Sequence, residues 1–253
     1  LGSLAFQRHP APLALDGVAE LHARLFRDLD AEAGPAARAE LFRRHLAAVF
    51  HLGRPEEAGY SAHATLDRSR ADWQRMLRGW AFDSEGVEGA TLKAWVESRF
   101  GLMTRYHGGP IRDFSGEPYR RFMEMRSRGL YGSNALEAQF DLVYAWCQVE
   151  LARRLPGVSH VTLYRGVNHV EGLELLGDTD AGRCVLLNNL SSFSADHERA
   201  DEFGDAILEV RAPLAKVFFF HGLLPGSFQG EEEYLLIGGV YEVRTVTGRF
   251  AQA

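Results

Sequence analysis

The sequence predicts an α+β protein, on three observations. Up to about residue 155, apolar residues recur three and four apart, the spacing of helices with one buried face. After Pro156 the period becomes that of extended chain, with runs rich in Val, Leu, Phe and Tyr. Between the segments stand firm breakers, such as Gly34-Pro35, Gly108-Gly109-Pro110 and Pro156-Gly157. A mostly helical N-terminal half followed by a strand-rich half gives the α+β class. With 253 residues, 46% of them hydrophobic, the chain makes one large domain or two modest ones with a real core.

Taken in order, Leu15 to Leu21 opens a first helix with Asp16 as its expected N-cap, and Val18, Leu21, Leu25 and Leu29 form its apolar stripe. Leu1-Gly2-Ser3 is assigned no structural part. Gly34-Pro35 breaks the first helix, a second follows with Leu41, Phe42, Leu46, Val49 and Phe50 on one side, and Gly53-Arg54-Pro55 ends it. Trp73, Leu77 and Trp80 mark a third helix, and Thr91 to Phe100 a fourth. These aromatics read as core. Helix resumes at Tyr119. The best-marked helix follows Gly132-Ser133-Asn134, with Asn134 and Glu137 at capping-box spacing and a stripe running from Leu136 through Cys147 to Leu151. Val161 to Arg165, Arg183 to Leu187, Ile207 to Arg211 and Lys216 to Phe220 read as strands. Two more are expected, Tyr234 to Ile237 and Val240 to Val246, separated by Gly238-Gly239.

Composition removes several function classes. A formal net charge of −6 argues against a general affinity for nucleic acid or anionic membrane. No apolar stretch approaches the roughly 20 residues of a membrane span, and Leu1 to Pro10 lacks the pattern of a secretory signal. Cys147 and Cys184 have no metal-type spacing and fit a reducing cytoplasm. The ten histidines form no metal-ligand pattern.

Three stretches carry chemistry. Arg165 closes an apolar strand and is followed by Gly166, which offers a fixed guanidinium for a phosphate or carboxylate and a backbone open to close approach. Asn189 to Asp196 places Ser191, Ser192 and Ser194 at a strand end, where hydroxyls can orient a carboxylate or a sugar. Glu231-Glu232-Glu233 stands directly before the apolar run Tyr234 to Ile237, after a turn-rich loop carrying Phe228. Glu231 and Glu233, two apart, point to one side of an extended chain. Each stretch alone also has a plain reading: a surface ion pair, a serine cap beside a packed Phe, a solvated charge run.

In this order the pieces resemble the arginine, serine, glutamate class of NAD-dependent mono-ADP-ribosyltransferases. That class has a strand ending in Arg, then a Ser-x-Ser strand, then a Glu-x-Glu pair after an aromatic-bearing loop. Here Phe193 stands where Thr is frequent, and Ala200 and Phe203 resemble a downstream Ala and Phe of the class. Within it, the wording of Tyr164 to His169, of Asn188 to Ser194 and of Phe218 to Gly226 is similar to the dinitrogenase reductase ADP-ribosyltransferase family.

The resemblance is compatible with the helical region read at residues 1–115 and implies, at 116–253, an ADP-ribosyltransferase-like NAD-binding catalytic core built as a β-sandwich. It implies a bacterial cytoplasmic enzyme that inactivates the nitrogenase iron protein (dinitrogenase reductase) by modifying an arginine. NAD is then the substrate and no metal is required. The family also brings in a PII-type signal protein as a partner. The roles carried over place Arg165 on a phosphate of NAD, the Gly166 backbone on the nicotinamide amide, Phe203 against the nicotinamide ring and Asn189 among the NAD-binding residues. Ser192 orients Glu233, which accepts from the ribose 2-hydroxyl. Glu231 positions the incoming guanidinium, and Phe228 contacts the target protein. Two alternatives stay open at this level: an NAD glycohydrolase on the same fold, with water as acceptor, and a non-catalytic interaction module.

Overall fold

The computed structural model describes residues 1–52, 72–130, 135–168, 174–180, 182–225 and 233–247. The helices α1 (Leu4–Arg8), α2 (Val18–Leu21), α3 (Ala23–Ala31), α4 (Pro35–Val49), α5 (Trp73–Phe82), α6 (Val87–Phe100), α7 (Glu117–Leu130) and α8 (Leu136–Arg154) all precede the strands. The mixed helix and sheet content matches the α+β expectation.

The stripe expected of one first helix is divided between α2 and α3. Gly17 at φ 77°, not Asp16, is the N-cap of α2. His22 interrupts the helix, and its Nδ1 lies 2.9 Å from Nε2 of His45 on α4. The interruption turns Leu21 outward, 80% exposed, while Leu25 and Leu29 are buried as expected. Gly34 caps α4 and Pro35 begins it. That helix ends at Val49, and Gly53-Arg54-Pro55 lies outside the described residues. So does Asn134 of the expected capping box. The N-cap position of α8 is held by Ala135 at φ 48°, with no side-chain cap.

The strands are β1 (His160–Val167), β2 (Glu174–Thr179), β3 (Gly182–Ser194), β4 (Ala206–Pro213), β5 (Val217–Phe220) and β6 (Glu233–Thr247), with the short helix α9 (His197–Asp201) after β3. All pair antiparallel in one sheet. β1 pairs with β4, β4 with β6, β6 with β3, and β3 returns to β1 where Tyr164 faces Ser194. The pairings therefore run in a cycle, and the start of β6 meets the end of β3 close to the end of β1. β2 is an addition to the sequence reading. It is exposed along nearly its whole length, so it lacks the alternation that announces a strand.

The two strands expected around Gly238-Gly239 are one strand, β6. β3 likewise continues through Asn188-Asn189, with a register shift between Leu187 and Leu190. The two irregularities face each other. A Cβ on Gly238 would sit 1.7 Å from the Asn188 carbonyl oxygen, so glycine there lets the strands pass the bulge without a break.

One main apolar core joins α3 to α6 and α8 to the sheet. α8 lies across the β4–β5 connection and β5: the Tyr144 hydroxyl donates to Ala215 O at 2.7 Å, and Gln148 Nε2 to Val217 O at 2.8 Å. Cys147 is fully buried in this contact, as its place in the stripe predicts. The N-terminus is also tied in, against expectation. Val240 N donates to Gly2 O at 2.8 Å, and Glu242 N donates to the Gln7 side chain at 2.7 Å. Leu1, Gly2 and Ser3 thus belong to the fold. Among the described residues no helix is long and apolar enough to cross a membrane, and both cysteines are free thiols.

Candidate active site

The cycle of pairings builds a site where β1, β3 and β6 meet. In register, Ser194 faces Tyr164 on one side and Glu233 on the other. Ser192, two residues before Ser194, is on the same face and diagonal to Glu233, a neighbour within side-chain reach. Its hydroxyl donates to Glu233 Oε1 at 2.5 Å. This is a charge-assisted hydrogen bond that fixes one carboxylate oxygen.

Arg165 follows Tyr164 on β1. Its Nη1 donates to the Ser192 carbonyl oxygen at 3.0 Å, and its Cζ lies 5.8 Å from the Phe193 ring centroid. The backbone bond and the ring fix the guanidinium beside β3. Burial lowers the Arg165 pKa and the charge of Glu233 opposes that, so the two groups sense each other across the site. Three side chains distant in sequence are thereby joined: Arg165 to the Ser192 backbone, and the Ser192 hydroxyl to Glu233.

Gly166 has a packing reason that its sequence context did not reveal. A Cβ there would lie 2.2 Å from the Ala200 carbonyl oxygen and 3.0 Å from Gly204 N. Gly204 in turn packs on Val167, whose carbonyl carbon would be 2.4 Å from a Cβ. The two glycines let the end of β1 and the turn after α9 touch backbone to backbone. Asp196, not a serine, caps α9 by accepting from Glu198 N at 2.8 Å. Ala200 is buried on this contact, but Phe203 lies beyond the helix and is 61% exposed. The shared helical face expected of Ala200 and Phe203 does not form.

Asn189 is buried. Its Nδ2 donates to the carbonyls of Lys93 at 2.8 Å and Leu102 at 3.0 Å, tying α6 and the chain after it to the bulge of β3. Among the described residues its Oδ1 has no hydrogen-bond partner. Glu231 and Phe228 lie outside the described residues.

The helices contribute two groups, Trp80, which periodicity assigned to the core, and Lys93, which the sequence reading did not single out. Trp80, near the end of α5, donates its indole N–H to Ser192 Oγ at 2.8 Å. Lys93 of α6 lies with Nζ 5.7 Å from the Trp80 ring centroid and donates to Tyr106 O at 3.1 Å. Burial brings the Lys93 pKa down to about 8, with Glu85 acting against the shift and Arg165 adding to it. The one sequence signal for Trp80 was its residue type, since a buried indole N–H needs an acceptor. The identity of that acceptor is a tertiary fact. Among the described residues no group of three or more His, Cys, Asp or Glu side chains is arranged to hold a metal.

A guanidinium, a serine hydroxyl and a glutamate carboxylate are thus gathered at the meeting of three strands, the side-chain types and order of the class that the sequence resembles. The family model described as Dinitrogenase reductase ADP-ribosyltransferase matches residues 1–245, nearly the whole chain, and the chain belongs to that family. It is also similar to the NAD(+)--dinitrogen-reductase ADP-D-ribosyltransferase of Rhodospirillum rubrum, with 38% identity over 249 residues covering 96% of this chain and 90% of that protein. No solved structure matches the chain. The protein is thus an ADP-ribosyltransferase with NAD as its substrate.

Proposed function

We propose that this enzyme transfers a single ADP-ribose from NAD to an arginine of dinitrogenase reductase, the nitrogenase iron protein, and thereby inactivates it in the cytoplasm. The name of the Rhodospirillum rubrum relative supports the target. The observation that carries the chemistry is the Ser192 to Glu233 hydrogen bond beside a fixed Arg165. In this reading residues 116–253 form the NAD-binding core, a sandwich closed by the cycle of strand pairings, and residues 1–115 cover it. A PII-type signal protein acts as a regulatory partner.

Cleavage breaks the bond between the nicotinamide nitrogen and the ribose carbon. The electron pair leaves with nicotinamide, which becomes neutral, and positive charge spreads over the ribose carbon and ring oxygen. A carboxylate held next to that charge stabilises the transition state more than the ground state. Glu233 takes this role and accepts a hydrogen bond from the 2-hydroxyl. Ser192 holds the carboxylate in one orientation, so little reorganisation is needed as charge develops. Arg165 binds a phosphate of the dinucleotide, the Gly166 backbone meets the nicotinamide amide, and Phe203 closes on the nicotinamide ring. Asn189 belongs to the NAD-binding residues in this reading, holding the bulge of β3 against α6. Glu231 positions the target guanidinium and takes its proton as the new carbon–nitrogen bond forms, and Phe228 contacts the target surface.

The test is intact-mass measurement of purified nitrogenase iron protein incubated with this enzyme and NAD. The expected result is a gain of one ADP-ribose, located on an arginine by fragmentation, with parallel loss of nitrogenase activity. Release of free ADP-ribose with an unchanged iron-protein mass would instead make water the acceptor.

A further inference from the structure

We infer that Trp80 is a positioning residue for the glycosidic-bond cleavage, acting from the helical region through Ser192 on Glu233. The inference rests on the proposed roles of Ser192 and Glu233. Its observation is the pair of hydrogen bonds at one oxygen: Trp80 Nε1 to Ser192 Oγ at 2.8 Å, and Ser192 Oγ to Glu233 Oε1 at 2.5 Å.

A serine hydroxyl has one proton and can rotate, whereas an indole N–H can only donate. With the indole proton directed at a lone pair of Oγ, the hydroxyl rotor is set and its proton points to the carboxylate. Donation into the hydroxyl also polarises it, which strengthens the bond it makes onward. Trp80 is 3% exposed and rigidly packed in the core, so its N–H keeps its place without a conformational cost during reaction. In this inference Trp80 acts through the Ser192 hydroxyl, to which its N–H is bonded. This makes α5 part of the catalytic support, and it gives the helical region a chemical role beyond covering the sheet.

The test combines Trp80→Phe, Ser192→Ala and the double variant, with NAD cleavage followed as nicotinamide release. The expected result for Trp80→Phe is a kcat lower by roughly three- to tenfold, the range of one lost hydrogen bond, with the KM for NAD nearly unchanged. In the Ser192→Ala background the same change is expected to have almost no effect on kcat, because the group it acts through is gone. A third variant carries benzothienylalanine at position 80, which keeps the ring shape and replaces the N–H by sulfur. It should reproduce the kcat loss with the wild-type Tm, separating the hydrogen bond from packing. Equal loss in both backgrounds, or full kcat in the benzothienyl variant, overturns the inference about Trp80 alone. A Ser192→Ala enzyme with wild-type kcat overturns instead the underlying role of Ser192.

Discussion

Gly166→Ala tests whether the contact between β1 and the turn after α9 shapes the NAD site. The added methyl would lie 2.2 Å from the Ala200 carbonyl oxygen. Ordinary contact begins near 3.4 Å, so a gap of about 1 Å must open. The opposing atoms are backbone and cannot rotate away, so α9 and its turn must move as a unit. Overpacking of this kind costs about 1–3 kcal/mol. At about 2 kcal/mol, a chain of this size should lose roughly 4–8 °C in Tm. Because Phe203 lies in the displaced turn, the KM for NAD should rise by several-fold, with a smaller change in kcat. Calorimetry and nicotinamide-release kinetics on one preparation measure both. A variant with the wild-type Tm and KM would show that the turn yields freely, and the packing reason for glycine would be wrong.

Glu233→Gln should lower transfer by at least about a hundredfold, the scale of one arranged electrostatic contact, while calorimetric NAD binding stays within an order of magnitude; retained activity would remove Glu233 from its role. The pair of Arg38 with Glu150 is buried and bidentate, with the two side chains 5% and 1% exposed. Arg38→Met should cost up to about 3 kcal/mol, since it leaves the buried carboxylate with only the partly exposed Arg154, at 3.1 Å, as its ion-pair partner. Burial alone would raise the Glu150 pKa, but Arg38 and Arg154 outweigh it and hold the pKa below the ordinary 4.5. The stabilisation is therefore present above pH 4.5 and lost as pH falls toward the lower folded value, so the wild-type advantage should narrow in acid; an advantage independent of pH would contradict this. Lys216 is fully buried, its Nζ faces the Tyr241 ring at 4.1 Å without a hydrogen-bond partner among the described residues, and burial lowers its pKa to about 7. The unfolded lysine keeps its proton to about 10.5, so burial destabilises most at and below pH 7. Lys216→Met should raise Tm at neutral pH, with a gain that shrinks toward pH 10; a Tm lowered at pH 7 would refute it.

Periodicity located the principal helices because a helix that buries one face must repeat its apolar residues near every third or fourth position. Its failures are informative. The stripe from Val18 to Leu29 is regular, yet the helix breaks at His22, where a ring reaches α4. Gly238-Gly239 is a local signal for a turn, yet β6 runs through it, because the bulge at Asn188 passes too close for any side chain. β2 has no apolar face to announce it. In each case a neighbour distant in sequence overrode the local preference.

By itself the sequence determined the order of Arg165, the serines and the glutamates, and the family to which that wording belongs; Ser194 and Glu233 do stand at strand ends, whereas β1 runs two residues past Arg165. The sequence also set the helical and extended periods, which are properties of each segment alone. Only the tertiary structure decided that Ser194 faces Glu233, which brings the Ser192 hydroxyl to that carboxylate, that Arg165 binds the Ser192 backbone, and that Trp80 of α5 completes the chain of hydrogen bonds. The reason is that strand register and helix placement follow from burying a shared core, and no single segment carries that information.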